Sequence, residues 1–257
     1  MTLKNHIKYF IVSVVTLFTL NNAVVAEEYE ASLHWSMRSE LSTAVNGVVQ
    51  QVFAQNGKIV TKGEVLVQLD PRIFNADLSY ARALLKNSEE KSQEAKRELD
   101  RQMDMYDRTM LSEHELQVAR NSHTEAKSQH QQAKASLIKA KVNLEYSAIR
   151  APFNAIVINT TAVKGQVVAS EMAPPVLVVV AEAKRMLARI FVTTDKLNRI
   201  AIKQPAKVDV AGQTFEGKVV NIAFEADTKK QGYYAVDVIF DIKEVILRAG
   251  QKATVTL

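Results

Sequence analysis

Two stretches of alternating apolar and polar residues share one register along the chain. The first, N-G-V-V-Q-Q-V-F-A-Q-N-G-K-I-V-T-K-G-E-V-L-V-Q-L, runs from Asn46 to Leu69; the second opens with N-A-I-V at Asn154, passes through K-G-Q-V-V and closes with L-V-V-V at Leu177 to Val180. Gly47 to Gly57 is ten residues, as is Ala155 to Gly165, and each second glycine precedes one polar and two β-branched residues: Lys58, Ile59, Val60 and Gln166, Val167, Val168. Period-two alternation bounded by glycines predicts short strands. Two half-motifs split by a long insertion predict one small β domain that carries a projection.

The insertion has helical period. Pro71 suits a first turn, with Asp70 before it as the expected N-cap, and no further proline or glycine occurs before Ser147. Spacings of three and four place Leu78, Ala81, Leu85, Ser88, Ser92, Ala95, Leu99, Gln102 and Tyr106 on one stripe. A second stripe holds Leu116, Ala119, His123, Ala126, His130, Ala133, Leu137, Ala140 and Leu144. Folding back near Leu111-Ser112 makes the stripes meet: Leu78 faces Leu144, Ala81 faces Ala140, Leu85 faces Leu137 and Tyr106 faces Leu116. The expectation is an antiparallel coiled-coil hairpin with arms roughly 55 to 60 Å long. Its seam is weak at Ser88, Ser92, His123 and His130, so support from neighbours is expected.

Composition supplies an address. Lys4 and Lys8 precede an apolar run from Tyr9 to Leu20, and Val24-Val25-Ala26 offers small residues before Glu27, the pattern of a cleaved secretory signal. An uncleaved anchor is the alternative, although the run is short for a membrane span. Loss of residues 1–26 removes two lysines and no acid, and lowers the net charge from +5 to +3. No basic cluster marks a nucleic-acid surface. With no cysteine in the chain, a disulfide framework, a thiol nucleophile and a lipidated cysteine are excluded.

Candidate chemistry is sparse. His123 and His130 stand two helical turns, about 10 Å, apart, too far to share one ion, and read as half-solvated seam residues. Asp237 and Asp241 would lie about 13 Å apart on a strand, too far for joint acid–base work. There is no phosphate-binding glycine loop, no H-E-x-x-H and no nucleophile elbow. The protein reads as non-enzymatic and without a cofactor. Beyond Val180, apolar alternation at Ala188 to Val192, Val208 to Val210, Val219 to Ile222, Ala235 to Ile239 and Thr254 to Leu257 predicts short strands broken by Gly or Pro, a count that fits a small barrel of about six strands.

Several pieces together resemble the periplasmic adaptor subunits of tripartite pumps, the membrane fusion proteins of the HlyD and RND efflux type. They are Gly47 to Pro71, the return Y-S-A-I-R-A-P-F-N-A-I-V from Tyr146 to Val157, and three barrel segments: F-V-T-T-D-K-L-N-R-I from Phe191, F-E-G-K-V-V-N-I from Phe215 and L-R-A-G-Q-K-A-T-V-T-L from Leu247. The resemblance implies an elongated α+β fold, a lipoyl-like β-sandwich split by the coiled-coil α-hairpin and followed by a small β-barrel. The expected boundaries are 1–26 for the signal peptide, 27–41 for an N-terminal strand segment, 42–70 and 148–181 for the halves of the lipoyl-like domain, 71–147 for the hairpin and 182–257 for the barrel.

In relatives that dock on TolC-type channels the hairpin tip carries Arg, then Leu four residues later and Ser seven after that. Arg101, Met105 and Ser112 stand at these intervals here, with Met a volume-conserving departure. The plainer readings are a solvated charge, a core residue and the cap of S-E-H-E. The resemblance further implies an inner-membrane transporter and an outer-membrane channel as partners, self-association into a ring of three or six copies, and a periplasmic location at the inner membrane. An RND pump is the preferred setting, with ABC or MFS exporters and a periplasmic scaffold without a transport role as alternatives. A lipoyl or biotinyl carrier is disfavoured, because the insertion occupies the turn where such domains present their lysine; Lys62 and Lys164 read as surface turn residues. Two departures stand out, Ala155 in place of glycine and Ile202-Lys203-Gln204-Pro205 in place of a glycine-containing turn. Many relatives continue into a membrane-proximal domain, and only Glu28 to Met37 remains here as material for such a region.

Overall fold

Strand pairing weaves the two half-motifs together in the computed structural model, which describes residues 27–169, 175–228, 230–242 and 246–257. The expected signal segment, 1–26, lies outside the described residues. The first half supplies β3 (Gly47–Val52), β4 (Ile59–Val60) and β5 (Val65–Leu69); the second supplies β7 (Ala155–Thr160), β8 (Val167–Val168) and β9 (Val178–Glu182). Each short middle strand crosses to the other half. β4 pairs with β7 through Ile59↔Ile156 and Val60↔Ala155, and β8 pairs with β3 through Gly47↔Val168 and Val48↔Val167. Gly57 and Gly165, at φ +83° and +86°, make the same turn twice, a conformation that costs little only without a Cβ. Their N–H groups donate to Val157 and Val49, both at 2.8 Å.

With β2 (Arg38–Leu41) and β6 (Ala148–Arg150) added at opposite places, the result is two four-stranded sheets, β2-β9-β7-β4 and β6-β5-β3-β8. Their common core includes Val49, Val60, Leu66, Leu69, Val157, Val168 and Leu177. Ala155 is fully buried there. The alternation places one residue of each short strand inward and the other outward, so Val60 and Val168 are buried while Ile59 and Val167 are exposed.

β5 leads into α1 (Arg72–Asp107), and α2 (Glu113–Tyr146) returns into β6. The helices pack against each other; a five-residue connection makes them antiparallel. Every residue of the two sequence stripes is buried or half-buried except Tyr106, which is exposed near the turn. Leu78, Ala81 and Ala140 form one cluster with Leu137 and Leu144, as the sequence register requires. His123 and His130 are half-buried in the seam. The base is tied to the sandwich: Phe74 and Leu144 join its core, and buried Ser147 donates its hydroxyl to Leu144 O at 2.7 Å while its carbonyl accepts from Leu69 N–H at 2.8 Å. Pro71, rather than Asp70, occupies the N-cap position. The Asp70 carboxylate nevertheless accepts from the Arg72 backbone N–H at 3.1 Å, so it still satisfies a first-turn donor.

The second unit is a closed barrel in the order β1-β10-β13-β12-β11-β14. Its strands are β1 (Glu28–Trp35), β10 (Arg185–Thr193), β11 (Pro205–Val210), β12 (Gln213–Ala226), β13 (Tyr233–Asp241) and β14 (Lys252–Thr256), with the short helix α3 (Thr194–Leu197) after β10. Six strands match the number expected, but one of them comes from the N-terminal segment. β1 pairs with β14 from Glu28↔Thr256 to Ser32↔Lys252. The expected segment 27–41 is therefore divided between the barrel and β2 of the sandwich, and Glu28–Trp35 is barrel wall rather than spare material for a membrane-proximal region. Lys203 adopts φ +70° in the turn before β11, the conformation for which glycine is usual. No described helix is long and apolar enough to cross a membrane.

Candidate functional site

The hairpin tip is built by two helix ends. α1 closes with Thr109 N–H donating to Tyr106 O at 2.8 Å and Met110 N–H to Met105 O at 3.0 Å, with Thr109 at φ +59°. α2 opens with a full capping box. Ser112 Oγ accepts from Glu115 N–H at 3.3 Å, and the Glu115 carboxylate accepts from the Ser112 N–H at 3.0 Å and hydroxyl at 2.7 Å. Reciprocal capping leaves the turn no orphan donor at that point, and the Ser112 hydroxyl lowers the Glu115 carboxyl pKa. The capped tip carries apolar side chains in solvent: Met103, Met105 and Met110 are all exposed, Met110 to 71%. Thioethers on an exposed turn make an adaptable contact surface.

Arg101 lies one turn before Met105 on the same helix. Its guanidinium donates to Glu98 from Nε at 3.0 Å and lies 3.6 Å from Glu94; the Glu98 carboxylate raises the already high guanidinium pKa. Exposed pairs of this kind are weak and exchangeable. Arg101 is thus a solvated cation held by its own helix, and Ser112 is a cap. Arg101 and Met105 share a stretch of helix face, while Ser112 belongs to the other helix and is already engaged.

The barrel holds a polar cluster that the alternation pattern did not reveal. Asp237 is 4% exposed and accepts from Arg189 Nε at 2.7 Å and Nη2 at 3.0 Å, and from Asn221 Nδ2 at 3.2 Å. Asp241 is exposed at the end of the same strand. Nothing in the sequence spacing pairs Arg189 with Asp237, since β10 and β13 become neighbours only on closure. Beside the pair, His34 meets Ser32 Oγ at 3.1 Å. Burial first, then Arg189, holds the imidazole pKa below its ordinary 6.5, while Asp237 pulls the other way. The unfolded chain therefore takes up this proton first as pH falls, and the barrel loses stability below about pH 6.5 until the folded state's lower pKa is passed. Denaturation midpoints followed from about pH 8 to about pH 5 should fall less steeply for His34→Gln than for the unaltered protein; identical profiles would refute the assignment.

Phe224 is fully exposed on β12, an apolar projection that sequence reasoning passed over because it sits within an otherwise ordinary strand. Phe215, the first residue of the F-E-G-K-V-V-N-I segment, packs on Phe240 with ring centroids 5.3 Å apart. Lys62 and Lys164 are exposed in turns. Among the described residues no group of three or more histidines and carboxylates is placed to hold a metal.

The family model for the CzcB-like, barrel-sandwich hybrid domain matches residues 38–182. Among solved structures, a MacA-MexA chimeric protein containing the Pseudomonas aeruginosa MexA α-hairpin domain aligns at TM-score 0.68 and 21% identity, over 90% of this chain and 79% of that one. A membrane fusion protein from Streptococcus pneumoniae aligns at TM-score 0.68 and 14% identity, over 90% and 97%. MacA from Actinobacillus actinomycetemcomitans aligns at TM-score 0.61 and 20% identity, over 90% and 78%. These likenesses establish a shared fold. In sequence, an uncharacterized protein of Haemophilus influenzae is 53% identical over 45 residues, 18% of this chain and 12% of that relative's length.

Proposed function

The chain belongs to the family of the CzcB-like barrel-sandwich hybrid domain, that of the membrane fusion or periplasmic adaptor proteins, and from that premise we propose that it is the periplasmic adaptor of a tripartite export system. In this reading the helix pair is an antiparallel coiled coil that reaches toward a TolC-type outer-membrane channel. The sandwich and barrel stand at an inner-membrane transporter, of RND type by preference. The single observation that carries the reading is the hairpin itself, a projection rooted in the sandwich core and ending in a capped turn that exposes Met103, Met105 and Met110. Such a tip has no chemistry to perform and is suited to contact. Arg101 supplies a cation whose own partners are weakly held, Met105 an apolar knob, and Ser112 the cap that holds the turn in shape.

The work assigned to the chain is mechanical: several copies in a ring align and seal a conduit, and the transporter supplies the energy. The test is photocrosslinking in intact cells from two positions, Met105 at the tip and Phe224 on the barrel, Phe224 being preferred to the packed Phe215. Capture of an outer-membrane channel at Met105 and an inner-membrane transporter at Phe224 is the expected result and would identify the pump class. Capture of only soluble periplasmic proteins at both positions would overturn the adaptor reading in favour of a scaffold.

A further inference from the structure

The outer wall of the barrel is hollowed where β11, β14, β1 and β10 run side by side. On these strands alternate residues are buried in the barrel, among them Val208, Ala253, Ala31 and Ile190, so the residues between them share the outer face. The cavity holds about 470 Å³, within the roughly 300 to 1,000 Å³ of small-molecule sites. Strand register lays its charges out in two rows. Asp209 pairs with Thr254 and Thr254 with Glu30, which sets a carboxylate on either side of one hydroxyl. Two residues along, Lys252 pairs with Ser32. The rows stand about 7 Å apart at a strand rise of about 3.4 Å.

The basic row is completed from β10 and from the turn beyond β12. Arg189 and Phe191 share the outer face of β10, and both line the hollow. Nε and Nη2 of Arg189 donate to Asp237, which fixes the guanidinium and leaves Nη1 with two N–H donors that Asp237 does not take. Lys230 is placed by its backbone N–H, which donates to Asp227 Oδ1 at 2.8 Å. Its ammonium lies over the Phe191 ring, 4.6 Å from the centroid, attracted by the ring face and not by an anion. Among the described residues no ion pair joins Lys230 or Lys252 to Glu30 or Asp209. Asp209 Oδ1 accepts the Thr214 hydroxyl, and Oδ2 stays open. Since Asp237 already neutralises Arg189, the hollow balances two ammonium groups against two carboxylates and pairs none of them.

A simple anion would gain from one row and be repelled by the other, and a simple cation would meet the reverse. A molecule with both charges at the right separation satisfies both rows. The spacing selects its size: an extended dipeptide spans about 7 Å at about 3.3 to 3.6 Å per residue, the distance between the rows, whereas a free amino acid spans half of that. We infer that the hollow is a binding site for a zwitterion of dipeptide size. Its ammonium sits at Thr254 between Asp209 and Glu30, and its carboxylate meets Lys252, Lys230 and the Nη1 edge of Arg189. Phe191 offers apolar surface to the body of such a molecule. The site belongs to the barrel alone and does not rest on the export reading.

The probe is L-alanyl-L-phenylalanine, titrated calorimetrically into the full chain at low ionic strength beside its N-acetylated form, its C-terminal amide and free phenylalanine. The uncapped dipeptide should bind, and the other three should bind at least about 10-fold more weakly. Each of them forfeits charge-assisted hydrogen bonds at one pole or is too short to reach both. No binding at millimolar dipeptide would overturn the proposal, as would equal affinity for the capped and uncapped forms.

Two pairs of substitutions separate the poles. Lys230→Gln with Lys252→Gln should weaken the uncapped dipeptide about 10-fold or more and bring its affinity close to that of the amide, while the N-acetylated form is still discriminated against. Glu30→Gln with Asp209→Asn should do the opposite, erasing the penalty for acetylation and keeping the one for amidation. The four side chains are exposed or half-buried, so unfolding midpoints should stay near that of the unaltered protein, and a general loss of fold would not sort the ligands by pole. Variants that weaken every form equally would overturn the assignment. Adsorption of the unaltered protein to phosphatidylethanolamine vesicles, without dipeptide binding, would give the hollow to a membrane surface and overturn it too.

Discussion

Under the proposed adaptor function, export should be lost when Arg101 and Ser112 are both replaced by aspartate, with protein level and thermal unfolding close to normal. The choice of aspartate separates two roles. Asp is as good an N-cap as Ser, so Ser112→Asp keeps an acceptor for the Glu115 N–H and the second helix still starts in place. Ser112→Ala, by contrast, would cost about 1 kcal/mol through lost capping alone and would confuse folding with docking. Arg101→Asp removes exposed pairs with Glu98 and Glu94, which are solvent-screened and contribute little to stability. It also reverses the charge offered to a partner beside Met105. The expected outcome is therefore near-complete loss of export from a folded protein, read by substrate accumulation alongside circular dichroism and immunoblotting. Unchanged export would remove Arg101 and Ser112 from the docking surface, whereas loss accompanied by a collapsed unfolding midpoint would mean that the turn had been broken.

Gly217→Val should unfold the barrel under conditions in which the unaltered chain is stable. Gly217 sits opposite Phe240 on the neighbouring strand. A Cβ at 217 would lie 2.8 Å from the Ile239 carbonyl oxygen and 2.9 Å from Val238 Cγ1. The first of these is backbone, which cannot rotate away, and Phe240 is packed in place against Phe215. Overpacking of this kind costs about 3 kcal/mol, which in a domain of about 100 residues lowers Tm by roughly 10 °C or more. Gly57→Val makes a useful contrast: open space surrounds its Cβ, and the penalty there is the positive φ alone. If Gly217→Val unfolds at the same temperature as the unaltered protein, the close approach of β12 to β13 is wrong.

Gly217 also shows where sequence reading stops. The F-E-G-K-V-V-N-I segment was recognisable, but the requirement for glycine comes from the Ile239 carbonyl and the Val238 side chain, 22 and 21 residues later. Arg189 and Asp237 are another such case, a half-buried guanidinium on a buried carboxylate, made by strands that meet only when the barrel closes. The helical stripes were legible almost residue by residue because their period is local, and each arm sees one partner across a short turn. Tyr106 is the exception: at the turn end of the seam it is partly exposed. At the tip the spacing drew attention to Arg101, Met105 and Ser112, while the exposure of Met103 and Met110 and the engagement of Ser112 in its own cap became visible only in three dimensions.

What the sequence determined by itself was periodicity: strands of period two, helices with a three-four repeat, and a duplicated half-motif with an insertion at a known point. These are properties of neighbouring residues, set by side-chain direction along the backbone. What only the tertiary structure decided was partnership. The repeat did not reveal that β4 and β8 exchange between the halves, because either half offers an equally apolar strand to pair with. Nor did it reveal that Glu28–Trp35 closes the barrel from the opposite end of the chain, because a strand's pattern states which face is buried and leaves open which edge completes its hydrogen bonds.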